Sequence, residues 1–545
     1  MNQRDGTWDV IVVGAGSAGG VLASRLSEDP SRSVLLLEAG PDYGTTVAGL
    51  PEDVATSPAS THTHDWGFTS EPGALGRPVS LPRGKLVGGS SAINSAIALR
   101  GQPGDYDNWA AGGNTGWSFA DLLPAFRRVE RDLDFAGPWH GAQGPVPVRR
   151  HGPGELNEPQ RAFHDACVAL GHPVVTDHNA PGACGVGPVP VNRVDGVRQS
   201  TALTYLARAR DRANLTVRGQ VLVDRVLVRG GRARGVRLAD PQGTELRAGQ
   251  VILAAGTYGS PPVLMRSGIG PAHHLRDLGI PVLADLPGVG GNLQDHPAVT
   301  LTFTGTVPAP ADPREPVLQT FLTCRVGEER NDAGPSGTAA LGASDLTAGP
   351  GTAGPSCAPD LQIFPQGPEA DPDGGPRESV VTLWVALLRP YSTGRLLLRS
   401  PDPRHAPRID VGFLRDPRDS HRLVEGMRLA RRIAATPPLA DLLRAERSPG
   451  PGVSTPEELT EALRRTVSGY QHAAGTCRMG PYDDPEAVVS PTGAVHGVEA
   501  LYVIDASVMP GLPAANTHLT TMAIAEHCTR ARWADGAVPR PPSTD

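Results

Sequence analysis

The chain has 545 residues, of which 39% are hydrophobic and 20% are charged, and this composition is typical of a globular protein. Its formal net charge of −7 argues against nucleic acid or an anionic membrane surface as the main partner. We find no apolar stretch that approaches the roughly 20 residues of a membrane helix, and no signal-peptide pattern before the first strand. The sequence therefore predicts no transmembrane segment and a cytoplasmic location.

The N-terminal segment has the pattern of a β-α-β unit. Residues 8–13 form a short apolar run that ends in glycine, residues 17–28 have the periodicity of a helix, and residues 33–38 form a second apolar run. Short apolar runs without alternation are typical of buried parallel strands. This unit predicts the start of a doubly wound α/β sheet.

Further elements follow along the chain. A second glycine-rich loop, residues 84–95, leads into a predicted helix. Residues 305–360 are rich in Pro, Gly, Ala and Ser, and we expect long loops there. The other predicted strands are residues 215–217, 221–228, 233–238, 251–256, 380–388, 394–398 and 501–505, and the other predicted helices are residues 420–434, 456–467 and 517–529. Because similar buried strands occur near both ends of the chain, we predict a nucleotide-binding domain that is assembled from separated segments.

The six cysteines are scattered along the chain, at Cys167, Cys184, Cys324, Cys357, Cys477 and Cys528. None forms a CxxC pair, and none lies beside a histidine at the spacing of zinc ligands. We therefore expect reduced thiols and no metal site.

The first turn carries a GxGxxG motif, formed by Gly14, Gly16 and Gly19, between a strand and a helix. Glycines at these positions allow a tight turn and the close approach of a pyrophosphate to the helix N-terminus. Glu38 ends the next strand, where a carboxylate can accept hydrogen bonds from ribose hydroxyls. This context predicts dinucleotide binding. A tight turn without a ligand is the alternative, and the spacing does not separate FAD from NAD.

Several segments, in one order along the chain, resemble a known family. They are residues 83–94 (RGKLVGGSSAIN), 259–271 (GSPPVLMRSGIGP), 287–297 (PGVGGNLQDHP), 472–480 (HAAGTCRMG), 505–510 (DASVMP) and 516–521 (NTHLTT). Together they resemble the signature segments of the glucose–methanol–choline (GMC) oxidoreductases, from about residue 8 to residue 530. The chain is most similar to bacterial choline-dehydrogenase-like members and to aryl- or furfuryl-alcohol oxidase-like members.

The resemblance implies an α/β fold, or α+β when its two domains are considered together. In that fold, a Rossmann-like FAD-binding domain is interleaved with a substrate-binding domain built on an antiparallel sheet. The implied bounds are residues 1–155, 205–299 and 466–537 for the FAD-binding domain, residues 156–204 and 300–465 for the substrate-binding domain, and residues 538–545 for a tail. The resemblance also implies that a small-molecule alcohol is oxidised by hydride transfer to flavin N5. Oxygen, a quinone and another carrier all remain open as the electron acceptor.

Alcohol oxidation needs a base for the hydroxyl proton, and imidazole suits this role because its pKa lies near working pH. By resemblance the base is His472. The alternative is a histidine without a catalytic role, whose hydrogen bonds are satisfied in the core or at a loop. Asn516 is the second active-site residue by resemblance; it can hydrogen-bond the substrate oxygen or serve only as a helix N-cap. His518 replaces an asparagine that is common in the family, and it could approach the substrate or only occupy the first helical turn. Asp295 and His296 are assigned a structural role.

The resemblance also assigns residues to the cofactor. They are Gly14, Gly16, Ser17, Ala18, Gly19, Glu38, Ala39, Arg83, Val87, Gly88, Gly89, Ser91, Asn94, Ser95, Val223, Ala255, Gly256, Asp505, Ala506, Asn516 and Thr517. Some members attach FAD covalently through a histidine where this chain has Ile93, so we expect non-covalent FAD. Ser95 is placed near flavin N5 and Val223 near the adenine. Asp505 is placed near the ribityl–pyrophosphate region, although a carboxylate at the end of a strand can also cap the following turn.

Substrate specificity is expected to come from residues 300–400 and 436–470. We see no cluster of aromatic and acidic residues that would make a cage for a quaternary ammonium, but folding could bring Trp384 or Phe364 beside an acid. The leading hypothesis is an FAD-dependent alcohol dehydrogenase or oxidase. A lyase of the same fold, with FAD but no net redox chemistry, and a flavin-binding protein without activity are the alternatives.

Overall fold

The computed structural model describes residues 6–310, 312, 314–325, 358–371 and 379–533. The helices are α1 (Ser17–Leu26), α2 (Glu52–Thr56), α3 (Pro103–Ala111), α4 (Phe119–Val129), α5 (Glu158–Ala169), α6 (Ser260–Arg266), α7 (Ala272–Asp277), α8 (Pro417–Ala434), α9 (Leu439–Leu442), α10 (Pro456–Thr466) and α11 (Thr517–Trp533). Within the described residues, no helix has the length and apolar character that crossing a membrane requires.

The strands are numbered in chain order and belong to two large sheets and several two-stranded ones. They are β1 (Thr7–Val13), β2 (Val34–Leu37), β3 (Glu130–Asp132), β4 (Val146–Val148), β5 (Gly185–Pro188), β6 (Arg193–Val194), β7 (Val197–Arg198), β8 (Leu215–Arg218), β9 (Val223–Arg229), β10 (Arg232–Leu238), β11 (Glu245–Leu253), β12 (Ile269–Gly270), β13 (Ala284–Asp285), β14 (Pro297–Gly305), β15 (Thr320–Cys324), β16 (Leu361–Ala370), β17 (Ser379–Leu387), β18 (Arg395–Leu397), β19 (Arg408–Asp410), β20 (Leu443–Ser448), β21 (Ser468–Gly469) and β22 (Leu501–Val503).

The first sheet contains the N-terminal β-α-β unit. Its strand order is β8-β2-β1-β11-β10-β9, with β22 beside β11. Strands β8, β2, β1, β11 and β22 run parallel, whereas β10 pairs antiparallel with both β11 and β9. All four residues of β2 are buried, as expected for a parallel strand that is covered on both faces. The predicted doubly wound sheet, with strands from both ends of the chain, is confirmed.

The second sheet is antiparallel and has the strand order β20-β14-β17-β16-β15-β5, with β21 beside β14. Side chains alternate between its two faces. Leu383 and Val385 of β17 pack in one core cluster with residues of α8, whereas Trp384 between them packs with Phe364 of β16 in another. The two sheets form the predicted α/β fold with an antiparallel second sheet, while the exact residue bounds of the two domains remain predictions.

The loop at residues 84–95 does not lead into an α-helix, so that prediction is wrong. The loop makes a single 3-10 turn at Gly89–Ala92. The carbonyl oxygen of Asn94 accepts a hydrogen bond from Arg198 Nε at 2.6 Å, so it is bonded to a distant side chain. Ala96 has a left-handed φ of 58°, which a helix does not accommodate.

The segment at residues 305–360, predicted as long loops, contains strand β15. All five side chains of β15 are buried. A short strand that is buried on both faces shows no alternation of apolar and polar residues. Its two-residue period therefore cannot be recognised within a Pro- and Gly-rich segment. Residues 326–357 of the segment lie outside the described part of the chain.

The expectation that all cysteines are reduced thiols is wrong for Cys184, which is disulfide-bonded. Cys167, Cys324, Cys477 and Cys528 are free and buried. Cys357 lies outside the described residues. Spacing rules test only cysteines that are near each other in sequence, and a disulfide can join residues that only the fold brings together.

A buried network of ion pairs surrounds strand β3. Its members are Arg100, Glu130, Asp132, His140, Arg150 and Asp177. Burial lowers the pKa of His140, but hydrogen bonds to Asp132 and Asp177 outweigh burial and raise that pKa to about 10. Glu130, Asp132 and His140 lie close enough together to hold a metal ion. However, Arg100 and Arg150 already neutralise these carboxylates, so the chemistry favours an ion-pair network.

We expect Glu130→Gln to destabilise the protein by about 3–5 kcal/mol, because it leaves the guanidinium of Arg100 buried beside a neutral group. Arg100 and Glu130 are each 1% exposed, and their charged atoms lie 2.8 Å apart. Urea unfolding, monitored by tryptophan fluorescence, measures the change. The matched control is Glu28→Gln, which removes a surface pair with Arg25 and is expected to cost less than about 1 kcal/mol. Equal effects of the two variants would contradict a structural role for the network.

Candidate active site

A cavity of about 630 Å³ lies where the carboxyl ends of β1, β2 and β11 face strands β16 and β17. We call the part beside the first sheet the nucleotide half, and the part beside Phe364, Trp384 and His472 the substrate half. Ligands of open α/β sheets bind beyond the carboxyl ends of the parallel strands. The cavity therefore connects a nucleotide-binding region with a region where a second molecule can react.

The nucleotide half begins at the N-terminus of α1. Gly16 and Ser17 line the cavity there, and no side chain caps the helix. Unpaired N–H groups and the positive end of the helix dipole make such a terminus suitable for a pyrophosphate. Glu38 lines the cavity at the end of β2, and its carboxylate accepts hydrogen bonds from the N–H groups of Ala15 and Gly40, each at 2.9 Å.

Two glycine-rich loops approach each other at this end of the cavity. A Cβ atom on Gly89, which has a φ of 52°, would lie 2.6 Å from the Cα of Gly16. A Cβ atom on Gly14 would lie 2.5 Å from the carbonyl oxygen of Ala254. Both contacts are with backbone, which cannot yield as a side chain can, so these positions require glycine.

Most residues predicted at the cofactor lie on the cavity wall: Gly14, Gly16, Ser17, Ala18, Glu38, Ala39, Arg83, Gly89, Asn94, Ser95, Val223, Ala255, Gly256, Asp505, Ala506, Asn516 and Thr517. The others, Gly19, Val87, Gly88 and Ser91, are not among the residues that line it. Ser91 Oγ donates to the carbonyl oxygen of Gly88 at 2.6 Å and accepts from the N–H of Thr201 at 3.0 Å. Ser91 and Gly88 therefore support the loop from behind.

The carboxylate of Asp505 lines the cavity but is also bonded within the protein. One oxygen accepts hydrogen bonds from the N–H of Gly256 at 2.8 Å and from Ser260 Oγ at 2.6 Å. The other accepts from the N–H of Ser507 at 2.8 Å, which caps the turn after β22. Asp505 therefore caps the turn that follows β22, which was the alternative to a role at the cofactor.

His472 and Asn516 meet on the wall of the substrate half. The amide nitrogen of Asn516 lies 2.9 Å from His472 Nε2. Asn516 directly precedes helix α11, but its side-chain oxygen is buried without a hydrogen-bond partner, so the side chain does not cap the helix. The structure thus brings together the two residues that were predicted to act on the alcohol, from segments 44 positions apart.

Asp295 and His296 hold the other side of His472. Asp295 Oδ1 accepts a hydrogen bond from the backbone N–H of His472 at 2.7 Å, and His296 Nδ1 lies 2.9 Å from His472 Nδ1. These contacts place both residues directly against the predicted base, which the sequence-based assignment missed. The available signal was their position in one of the segments that carry the resemblance.

The surroundings of His472 favour a neutral imidazole. Burial lowers the pKa of His472 well below its ordinary value, and the neighbouring His296 and Arg83 lower it further. Burial also lowers the pKa of His296 to about 3. Because the amide of Asn516 donates to His472 Nε2, the proton of His472 is assigned to Nδ1, which donates to His296.

His518 lies in the first turn of α11 and lines the cavity. Its Nδ1 atom lies 3.2 Å from Ser17 Oγ, and burial lowers its pKa to about 4. This contact joins the first turns of α1 and α11. It favours the helical-turn role of His518 over a direct role at the substrate.

Comparison with known proteins identifies the family. The N-terminal and C-terminal family models named GMC oxidoreductase match residues 8–298 and 390–525. The chain belongs to the GMC oxidoreductase family. An oxygen-dependent choline dehydrogenase of Pectobacterium carotovorum subsp. carotovorum is 38% identical over 533 residues, which cover 95% of this chain and 93% of that protein.

Two solved structures are similar to this GMC oxidoreductase over nearly their whole lengths. Pyridoxine 4-oxidase from Mesorbium loti has 31% identity and a TM-score of 0.84, covering 96% of this chain and 99% of its own. A fungal aryl-alcohol oxidase has 26% identity and a TM-score of 0.81, covering 98% and 100%. These findings establish an oxidoreductase that oxidises an alcohol with FAD, and they do not favour the lyase hypothesis.

The nucleotide half fits FAD. Gly14, Gly16 and Gly89 line the cavity where the two glycine-rich loops approach each other, the N-terminus of α1 offers unpaired N–H groups, and Glu38 lies where a ribose would be bound. These residues would hold the nucleotide, and Arg83, Asn94 and Ser95 would line the flavin. When bound, FAD supplies the acceptor for the hydride of the alcohol.

We expect Gly89→Ala to weaken FAD binding strongly, because the added methyl group collides with the backbone of Gly16. The measurement is the FAD content after dialysis, together with the dissociation constant from reconstitution of the apoprotein. Gly76→Ala is the matched control: Gly76 also has a left-handed φ, of 68°, but a Cβ atom there meets nothing within 4 Å. Equal loss of FAD in both variants would assign the effect to backbone strain and not to the close approach of the two loops.

Proposed function

We propose that His472 is the base in the oxidation of the alcohol and that Asn516 binds the substrate oxygen. The observation that carries this proposal is the position of His472 Nε2 and the Asn516 amide, 2.9 Å apart on the cavity wall. An alcohol hydroxyl that takes the place of this direct hydrogen bond can give its proton to the imidazole nitrogen and accept a hydrogen bond from the amide. Both groups then act on one oxygen.

The contacts of His472 support this role. The hydrogen bond between the two Nδ1 atoms leaves the lone pair of His472 on Nε2, toward Asn516. The bond from the His472 backbone to Asp295 fixes the segment that carries the ring. Arg83 on the same cavity stabilises the negative charge that develops as the hydroxyl proton leaves. The arrangement orients a neutral base before the substrate arrives.

We also propose that FAD is bound non-covalently, since Ile93 on the cavity wall has no group that could bond to the flavin. Retention of the flavin by acid-precipitated protein would contradict this. The names of the relatives refer to choline, pyridoxine and aryl alcohols, which supports a small alcohol as the substrate. The cytoplasmic location remains a prediction, and the disulfide at Cys184 weighs against a strongly reducing compartment.

We expect His472→Ala to keep FAD bound but to slow reduction of the flavin by alcohol about 10²–10⁴-fold, because the hydroxyl proton loses its acceptor. Anaerobic stopped-flow spectroscopy at the visible flavin band measures the rate. His421→Ala, at an exposed position of α8 that does not line the cavity, serves as the control. Near-normal reduction in the His472 variant would remove His472 from the mechanism.

The same base predicts a pH dependence. Burial and positive surroundings lower the pKa of His472 well below the ordinary histidine value of 6.5. The imidazole is therefore already deprotonated at pH 6.5. We therefore expect the rate constant for flavin reduction at low alcohol concentration to be constant above pH 6.5 and to fall only in more acidic solution. Deuteration of the carbinol carbon shows whether C–H cleavage limits the rate. A sigmoidal rise centred near pH 6.5 would point to a base with an ordinary histidine pKa.

A further inference from the structure

Three aromatic rings form one wall of the substrate half. Phe364 and Trp384 are paired across β16 and β17, and Tyr470 lies two residues before His472. The ring centroids lie 5.7 Å apart for Phe364 and Tyr470, 6.0 Å for Phe364 and Trp384, and 6.5 Å for Trp384 and Tyr470. Leu318 packs against the same cluster. All of these side chains line the cavity, so a substrate held at His472 meets a largely aromatic surface.

The polar ends of two of these rings are already satisfied. The hydroxyl of Tyr470 donates to Gln362 Oε1 at 2.8 Å, and Trp384 Nε1 donates to Gln366 Oε1 at 3.0 Å. Neither ring therefore requires a polar partner in the substrate. The wall offers mainly apolar ring surface.

The three ring planes are nearly parallel. The interplanar angles are 5° for Phe364 and Trp384, 26° for Phe364 and Tyr470, and 28° for Trp384 and Tyr470. A flat ring can continue such an arrangement by offset stacking. A quaternary ammonium is roughly spherical, and an aromatic cage encloses it with ring faces from several directions. The wall thus fits a planar group better than a spherical cation.

The charges around the cavity also disfavour a cation. Among the described residues, the arginines and carboxylates on the wall are Glu38, Arg83, Arg266, Arg404 and Asp505. Glu38 and Asp505 belong to the nucleotide half and are bonded there to N–H and O–H groups. Arg83, in contrast, is close enough to His472 to lower its pKa. The carboxylate of Asp295 also lies beside His472, but it is not on the cavity wall, its Oδ1 accepts from the backbone N–H of His472, and burial raises its pKa to about 6. A cationic alcohol at His472 would therefore meet Arg83 and, in the described part of the wall, no carboxylate of its own.

A carboxylate does lie directly behind the wall. Glu369 Oε1 accepts a hydrogen bond from Gln366 Nε2 at 2.8 Å, and Gln366 lines the cavity whereas Glu369 is not among the lining residues. The neutral amide of Gln366 therefore separates the carboxylate from the substrate half. One exchange of residue type between these two positions would bring a negative charge to the wall.

From these observations we propose that the substrate is an uncharged aromatic alcohol, whose ring lies against Phe364, Trp384 and Tyr470 while its hydroxyl reaches His472. This proposal rests on the proposed function, because it places the reacting hydroxyl at His472 and Asn516. It further assigns Gln366 as the residue that keeps the substrate half neutral. The chain therefore differs in substrate class from relatives that are named for choline.

The test uses the FAD-containing protein and three alcohols under anaerobic conditions. Choline and 3,3-dimethylbutan-1-ol have nearly the same shape and differ in charge, and benzyl alcohol adds a planar ring. We expect benzyl alcohol to reduce the flavin with the highest second-order rate constant, and choline to have a rate constant at least about 10-fold below that of its uncharged analogue. A higher rate constant for choline than for 3,3-dimethylbutan-1-ol would overturn the proposal.

A charge exchange tests the assignment of Gln366. In the double variant Gln366→Glu with Glu369→Gln, the net charge is unchanged, and the new carboxylate can still accept from Trp384 Nε1 and from the new amide at position 369. We expect the ratio of the choline rate constant to that of 3,3-dimethylbutan-1-ol to rise at least about 10-fold. The single variant Glu369→Gln is the control and is expected to leave the ratio unchanged. An unchanged ratio in the double variant, with FAD content intact, would contradict the role of Gln366.

The outcomes separate this inference from the proposed function. If choline reduces the flavin best and His472→Ala abolishes that reduction, the base assignment stands and the aromatic-alcohol proposal fails. If benzyl alcohol reduces the flavin in the wild-type protein but His472→Ala does so equally fast, the substrate class stands and the proposed base fails. If none of the three alcohols reduces the flavin, the aromatic-alcohol proposal fails.

Discussion

The active site depends on the hydrogen bonds that hold one buried imidazole in a single orientation. His472 contacts His296 through Nδ1 and Asn516 through Nε2, while its backbone is bonded to Asp295. A buried imidazole is costly to protonate. The hydrogen bonds therefore fix the orientation of His472, and burial keeps its imidazole neutral. A solvated histidine at the same position would have neither a fixed lone pair nor a lowered pKa.

The nucleotide half could be predicted from the sequence because its requirements are local. A turn that admits a pyrophosphate needs glycine at Gly14 and Gly16, a strand before it, a helix after it, and an acid such as Glu38 at the end of the next strand. Each of these features lies within one short stretch of chain. The structure places them on one cavity, as the β-α-β pattern predicts.

The features that the sequence did not reveal depend on partners far away in the chain. The loop at residues 84–95 fails to continue as a helix where Arg198, more than a hundred positions later, binds the carbonyl oxygen of Asn94. Likewise, the aromatic wall exists only because the register of β16 and β17 pairs Phe364 with Trp384. Periodicity predicts a strand, but it does not predict which residue will lie opposite another.

The separation between the proposed base and the aromatic wall would allow one reaction to be combined with different alcohols. In the proposed arrangement, His472 and Asn516 would contact only the carbon–oxygen group that every alcohol shares, whereas β16 and β17 would contact the part that differs. Gln366 and Glu369 flank an irregularity in the pairing of these strands. In this proposal, a change there would alter the charge of the substrate half and leave the contacts of His472 in place. Sequence similarity along the whole chain therefore supports the same type of reaction as in a relative, but it does not identify the alcohol.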